Sequence, residues 1–198
     1  MIDEHARFFS HHNAALTLRK AGALSKAVHS CKRLGMRLPH LALALLLLAA
    51  SPAAARDALG MFGGWAAFRD PSAPRCYAIA MAAPSAKRRE YQPYADVAWW
   101  PRAGVRGQVH FRLSRKLQPG SAITLSIGGA RVALTGGGAD AWAADKRGDA
   151  AIIAAMRVAG TMTIGARDAS GGGFSNSWDL TGAATAIDAA TLGCASLR

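Results

Sequence analysis

Hydrophobic and polar positions alternate over short stretches of this chain, the period-two signature of strands buried on one face. The clearest stretch is Val105 to Leu113. Val105, Gly107, Val109, Phe111 and Leu113 fall on one side, and Arg106, Gln108, His110 and Arg112 on the other. Residues 75–81 alternate likewise, with Tyr77, Ile79 and Met81 opposite Cys76, Ala78 and Ala80. Further strands are predicted over 65–68, 94–100, 121–127, 131–135, 141–143, 161–167 and 174–180. Asp70-Pro71-Ser72 with Pro74, Pro101, Pro119-Gly120 and the glycine triplets 136–138 and 171–173 supply the turns between them. Gly128-Gly129 reads as a two-residue hairpin. Residues 57–64 read as a lead-in, and 84–93 as a solvated loop around Lys87-Arg88-Arg89-Glu90.

The period changes late in the chain. Ile152, Ile153, Met156 and Gly160 fall at i, i+1, i+4 and i+8, one helical stripe. The predicted helix starts near Asp145 or Gly148 and stops at Gly160, with Asp149 and Arg157 placed to suit its dipole. A second helix is predicted over 183–194, with Ile187, Ala190 and Cys194 facing inward. Eight or nine short strands with two helices late predict a single mainly β domain, a sandwich or barrel rather than an α/β fold.

Ahead of the alternating region lies a different pattern. Arg33 and Arg37 precede an apolar run, 41–50, and Ala53-Ala54-Ala55 supplies small residues for cleavage after Ala55. This is the three-part secretory signal. The run of 10 apolar residues is shorter than the roughly 20 a membrane span needs. Met36 opens a compact signal, so 36–55 is expected to be the signal peptide and 1–35 an over-extended start. The domain then occupies 56–198, with no transmembrane segment in the mature protein and a periplasmic location.

Export changes the charge and cysteine arithmetic. Of 24 Lys and Arg and 12 acids, 17 and 10 lie in 56–198, a net charge of +7. No dense basic run marks a nucleic-acid-binding tail, so no nucleic-acid partner is expected. Cys76 and Cys194 are the cysteines that remain, and in an exported protein such a pair is expected to form a disulfide.

Candidate chemistry is sparse. His110 is the one histidine of the mature region, and no acid lies near it in sequence to orient a triad, so a plain surface histidine is expected. Asp140, Asp145 and Asp149 are expected to serve as turn, N-cap and dipole partner rather than as acid/base or metal groups. Two cysteines and one histidine fall short of four zinc ligands, and no Gly-Lys-Ser/Thr follows the glycine triplets, so no metal or cofactor is expected. Arg102, Arg106, Arg112, Arg115 and Lys116 lie in one stretch without an acid, downstream of Trp99 and Trp100. That basic face either serves solubility or holds an anionic envelope component, such as a lipid head group or an acidic glycan.

Several motifs occur in a suggestive order: GGWAAF, RCYAIA, SAITLSIGGARVALT, AWAADKRGDAAIIAAMRVAG, TMTIGARDASGGGFSNSWDLTGAATAID and the near-terminal Cys194. In that order they resemble the invasion-associated locus B family of alphaproteobacterial envelope proteins. The resemblance implies an exported, immunoglobulin-like antiparallel β-sandwich with two short helices late in the chain and no established enzymatic activity. It supplies no catalytic residues, and the glycine-rich ARDASGGGFSNS is longer than the family's turn. The expected function is a non-enzymatic periplasmic binding or envelope-maintenance protein. The alternatives are a surface-exposed host-cell interaction factor and, more remotely, a hydrolase using Asp140, Asp145 or His110.

Overall fold

A computed structural model describes residues 56–195 and 197. The segments read above as an over-extended start, 1–35, and as a signal peptide, 36–55, lie outside the described residues. Ten strands, β1 (Asp57–Phe62), β2 (Trp65–Asp70), β3 (Arg75–Met81), β4 (Tyr94–Trp100), β5 (Val105–Arg112), β6 (Ile123–Ile127), β7 (Ala130–Gly137), β8 (Asp140–Ala143), β9 (Thr161–Arg167) and β10 (Gly173–Asp179), carry the fold. Helix α1 (Lys146–Met156) follows β8, and α2 (Ala183–Cys194) closes the chain after β10. The expected mainly β class with two late helices is what the structure has.

All ten strands join one antiparallel sheet in the order β1-β2-β3-β4-β5-β8-β7-β6-β9-β10. Its two ends meet. The indole Nε1 of Trp65 in β2 donates to the Asp179 carbonyl of β10 at 2.9 Å, and the Ala83 amide beyond β3 donates to the Ser177 carbonyl at 2.7 Å. Phe111 of β5 packs on Trp178 of β10, ring centroids 5.6 Å apart. The sheet is therefore coiled around its own apolar face. That face is the one the alternation of β5 identified from Gly107 onward: Gly107, Val109, Phe111 and Leu113 are buried, joined by Val97, Leu125, Ile164 and Trp178, whereas Val105, expected on the same face, is only half-buried.

Half of this inner face is built from small residues. Ala67, Ala78, Ala80 and Ala95 line β2, β3 and β4, and α2 lays Ala183, Ala186, Ile187 and Ala190 over them. Short side chains on both surfaces let helix and sheet backbones approach closely. The predicted inward stripe of Ile187, Ala190 and Cys194 is buried as expected. Cys194 bonds Cys76 of β3, with Cα atoms 5.6 Å apart, and fastens the helix to the sheet.

Several strand ends move by one or two residues from the sequence reading, and three differences are larger. Residues 57–62 form strand β1 along β2, where a lead-in was expected; its register shifts between Ala58 and Gly60, which breaks the alternation. The β7–β8 hairpin continues through Gly136 and Gly137, which were assigned to a loop. Helix α1 stops at Met156 instead of Gly160, where the Val158 amide turns back three residues to the Ala155 carbonyl and tightens the last turn. The Gly128-Gly129 hairpin forms with φ of 55° and 82°, the positive pair that a two-residue primed turn requires.

Candidate functional site

Residues on the outer sheet face are brought together by cross-strand register. Asp96 of β4 pairs with His110 of β5, which pairs with Trp142 of β8; one rung along, Tyr94 pairs with Arg112, which pairs with Asp140. His110 therefore lies between two carboxylates. Its Nδ1 is 2.8 Å from Asp96 Oδ2 and its Nε2 is 3.1 Å from Asp140 Oδ1. Arg112 Nη1 donates to the other Asp140 oxygen at 2.7 Å and its guanidinium lies over the Tyr91 ring. Trp142 stacks on the imidazole at 5.2 Å and Tyr94 meets it edge-on at 5.7 Å.

The electrostatics follow from this geometry. Burial alone would pull the His110 pKa down, but hydrogen bonds to Asp140 and Asp96, with their negative charge, overcome it and push the pKa up to about 9. Asp140 shifts the opposite way. Burial pushes it up, and the His110 and Arg112 hydrogen bonds and charges bring it net below the ordinary carboxylate value. Burial, then the charges of Asp96 and Asp140, raise the Tyr94 phenol. At neutral pH His110 is an imidazolium donating both N–H groups to carboxylates. It has no lone pair with which to accept a proton, so the arrangement is an ionic clamp between β4, β5 and β8. The expected plain surface histidine is corrected here: its acids lie 14 and 30 positions away, supplied by neighbouring strands.

The five basic residues of the candidate anionic-ligand face separate. Arg112 belongs to the clamp. Arg115 donates to Asp168 Oδ2 at 2.8 Å and to the Arg88 carbonyl at 3.1 Å, so its charge is also matched. Asp168 in turn accepts from the Ser170 hydroxyl and the Ser170 and Gly172 amides; the Ser170 hydrogen bond leads the effects that lower its pKa. Lys116 is exposed beside Glu90, whose carboxylate accepts its amide. Arg102 is exposed in the short 3-10 turn between β4 and β5, and Arg106 is exposed at the start of β5.

Arg106 has different company. It lines an open groove of about 350 Å³ with Trp99, Gly107, Lys146, Ala150, Ile153, Ala154 and Arg157. Arg106 and Lys146 make no ion pair or side-chain hydrogen bond among the described residues. Arg157 donates to Asp188 of α2 at 2.7 Å, a hydrogen bond that raises the Arg157 pKa and lowers that of Asp188.

The groove has a local cause. Between Ala98 and Trp99 the β4–β5 register shifts, leaving Gly107 as the extra residue of a β-bulge at φ 77°. A Cβ there would stand 2.9 Å from Ile153 Cδ1, so the end of the Ile153 side chain would have to give way, and the positive φ itself favours glycine at this point of β5. Strand β8 covers β5 only over His110–Arg112, and Asp149 of α1 takes over beyond it, accepting the Val109 amide at 2.9 Å. Burial raises the Asp149 pKa against that hydrogen bond, with a smaller push from Asp145. Asp145 itself caps α1 through the Gly148 amide at 2.7 Å, the role expected of it. The sequence reading missed the groove, although Gly107 inside a strand pattern is a signal for a bulge or a close backbone approach.

No family model, curated protein or solved structure matches this chain.

Proposed function

We propose that this is an exported, periplasmic, non-enzymatic protein that binds an anionic component of the cell envelope. The observation that carries the reading is the α1–β5 groove, where two unpaired cations, Arg106 and Lys146, flank an aromatic and aliphatic floor with no acid among its lining residues. Its volume of about 350 Å³ falls at the lower end of the range for small-ligand sites, roughly 300–1,000 Å³. The Cys76–Cys194 disulfide supports an oxidising compartment. His110, committed as an imidazolium to two carboxylates, supports a non-enzymatic role. The order of motifs supports membership of the invasion-associated locus B family, and the mainly β class with two late helices agrees with what that resemblance implies, although the strands form one continuous sheet.

The test combines location with binding. The native protein is expected in the periplasmic fraction with Cys76 and Cys194 oxidised. It is also expected on a dextran sulfate matrix, from which the Arg106→Gln, Lys146→Gln double variant elutes at clearly lower salt. Elution of native and variant protein at the same salt would overturn the binding reading. A cytoplasmic protein with free thiols would overturn the exported one.

A further inference from the structure

We infer that the α1–β5 groove is a docking face for an anionic phospholipid bilayer, with Val158 as its apolar prong. This rests on the anion-binding reading of the groove and names the partner. Three features of the lining select a lipid surface over a soluble polyanion or a sugar.

The first is the separation of chemistries. Trp99, Ala150, Ile153 and Ala154 form an apolar floor, and Arg106 and Lys146 stand with it unpaired. A saccharide hydroxyl both donates and accepts, and the lining, with no Asp, Glu, Asn or Gln, offers no side-chain carboxylate or amide to receive its O–H. An anionic phospholipid has the matching order, a phosphate in the head-group layer and apolar acyl carbons beneath it. Arginine and lysine stems lie along such apolar carbon while their charged ends meet phosphate.

The second feature is Val158. It follows Arg157, a lining residue, at the C-terminal end of α1 and is 86% exposed, the most exposed large hydrophobic among the described residues. An exposed aliphatic side chain next in the chain to a basic lining residue matches the makeup of a peripheral membrane contact, apolar insertion reinforced by attraction to anionic lipid. The third is Arg102, exposed in the turn that joins the strands bearing Trp99 and Arg106. It extends the positive edge of the groove along the same end of β4 and β5, as a flat anionic surface would require and a single small anion would not.

The experiment is flotation of the full chain, as purified from cells, with vesicles of phosphatidylcholine alone or with added phosphatidylglycerol. The native protein is expected to float with the anionic vesicles and to stay unbound with the neutral ones. Each basic residue near an anionic surface contributes about five-fold in partitioning, so Arg106→Gln with Lys146→Gln is expected to weaken vesicle binding about 25-fold. Val158→Ser, which removes the apolar side chain without adding charge, is expected to reduce flotation while leaving retention on dextran sulfate unchanged, since a sulfated polymer offers nothing apolar for position 158 to enter. Full dextran sulfate retention with no flotation would overturn the bilayer assignment and leave the anion reading standing. Loss of both by the native protein would overturn the two together. Equal flotation of native and double-variant protein would place the membrane contact elsewhere and refute this one.

Discussion

Raising the pH through 9 will loosen this protein by a calculable amount, and His110 is the group responsible. Unfolded, its imidazole titrates near 6.5; folded between Asp96 and Asp140, it titrates at about 9. A pKa raised on folding means the folded state holds the proton more tightly. The stabilisation is therefore complete below pH 6.5, declines as pH rises, and is gone above about 9. The slope is about 1.4 kcal/mol per pH unit, so the interval amounts to about 3 kcal/mol. That is a large share of the roughly 5–15 kcal/mol that holds a domain folded. The side chain is 18% exposed, so solvent screening reduces this only modestly. The assay is urea unfolding from pH 6 to pH 10 on native protein and on His110→Gln. The native midpoint is expected to fall across the window at constant m-value, whereas the variant starts lower and stays level there. The imidazole signal missing from the variant's NMR spectrum should titrate near 9 in the native protein. Titration of that signal near 6.5, or parallel pH profiles for the two proteins, would refute the clamp.

Other perturbations have equally defined outcomes. Gly107→Ala places a side chain at φ 77° and within 2.9 Å of Ile153 Cδ1, and should destabilise by about 1–3 kcal/mol in urea unfolding, chiefly through the backbone strain; a change below about 0.5 kcal/mol would contradict the account of the bulge. Asp149→Ala leaves the Val109 amide without its acceptor and should cost about 1–3 kcal/mol, with faster hydrogen exchange at that amide as the local readout. Reduction of Cys76–Cys194, which spans 118 positions, should lower stability by up to about 5 kcal/mol, seen as a drop in Tm on adding reductant that Cys76→Ala with Cys194→Ala abolishes.

Most of the strands and both helices were legible because burial on one face writes itself into a period of two or 3.6. The alternation assigned the faces of β5 correctly from Gln108 to Leu113, whereas ahead of the bulge Val105 is only half-buried and Arg106 pairs with Trp99; the Ile187, Ala190, Cys194 spacing identified the buried side of α2. Strand β1 was not legible. It is an edge strand with a register shift at Gly60, so no clean alternation is imposed on it. The clamp was hidden for a different reason. Asp96 and Asp140 reach His110 through strand pairing, and the register of β4, β5 and β8 depends on contacts far apart in the chain. The groove was hidden because Gly107 was read as a core position in a regular strand, whereas it is the extra residue of a bulge. Among the basic residues, sequence proximity grouped five cations, but which remain unpaired depends on where Asp140 and Asp168 come to lie.

The placement of the disulfide also decides how the fold carries mechanical load. A pull applied at positions 57 and 197 passes through β1, β2 and the start of β3, crosses the Cys76–Cys194 bond and leaves by the last residues. Everything between those cysteines, β4 to β10 together with both helices, lies outside the load path. With 118 positions in the loop and about 3.4 Å of extended chain per residue, roughly 400 Å of contour length is shielded from extension until a covalent bond gives way. The clamp and the groove both lie within that shielded loop, so tension that strips β1 and β2 from the sheet edge leaves them under no direct strain.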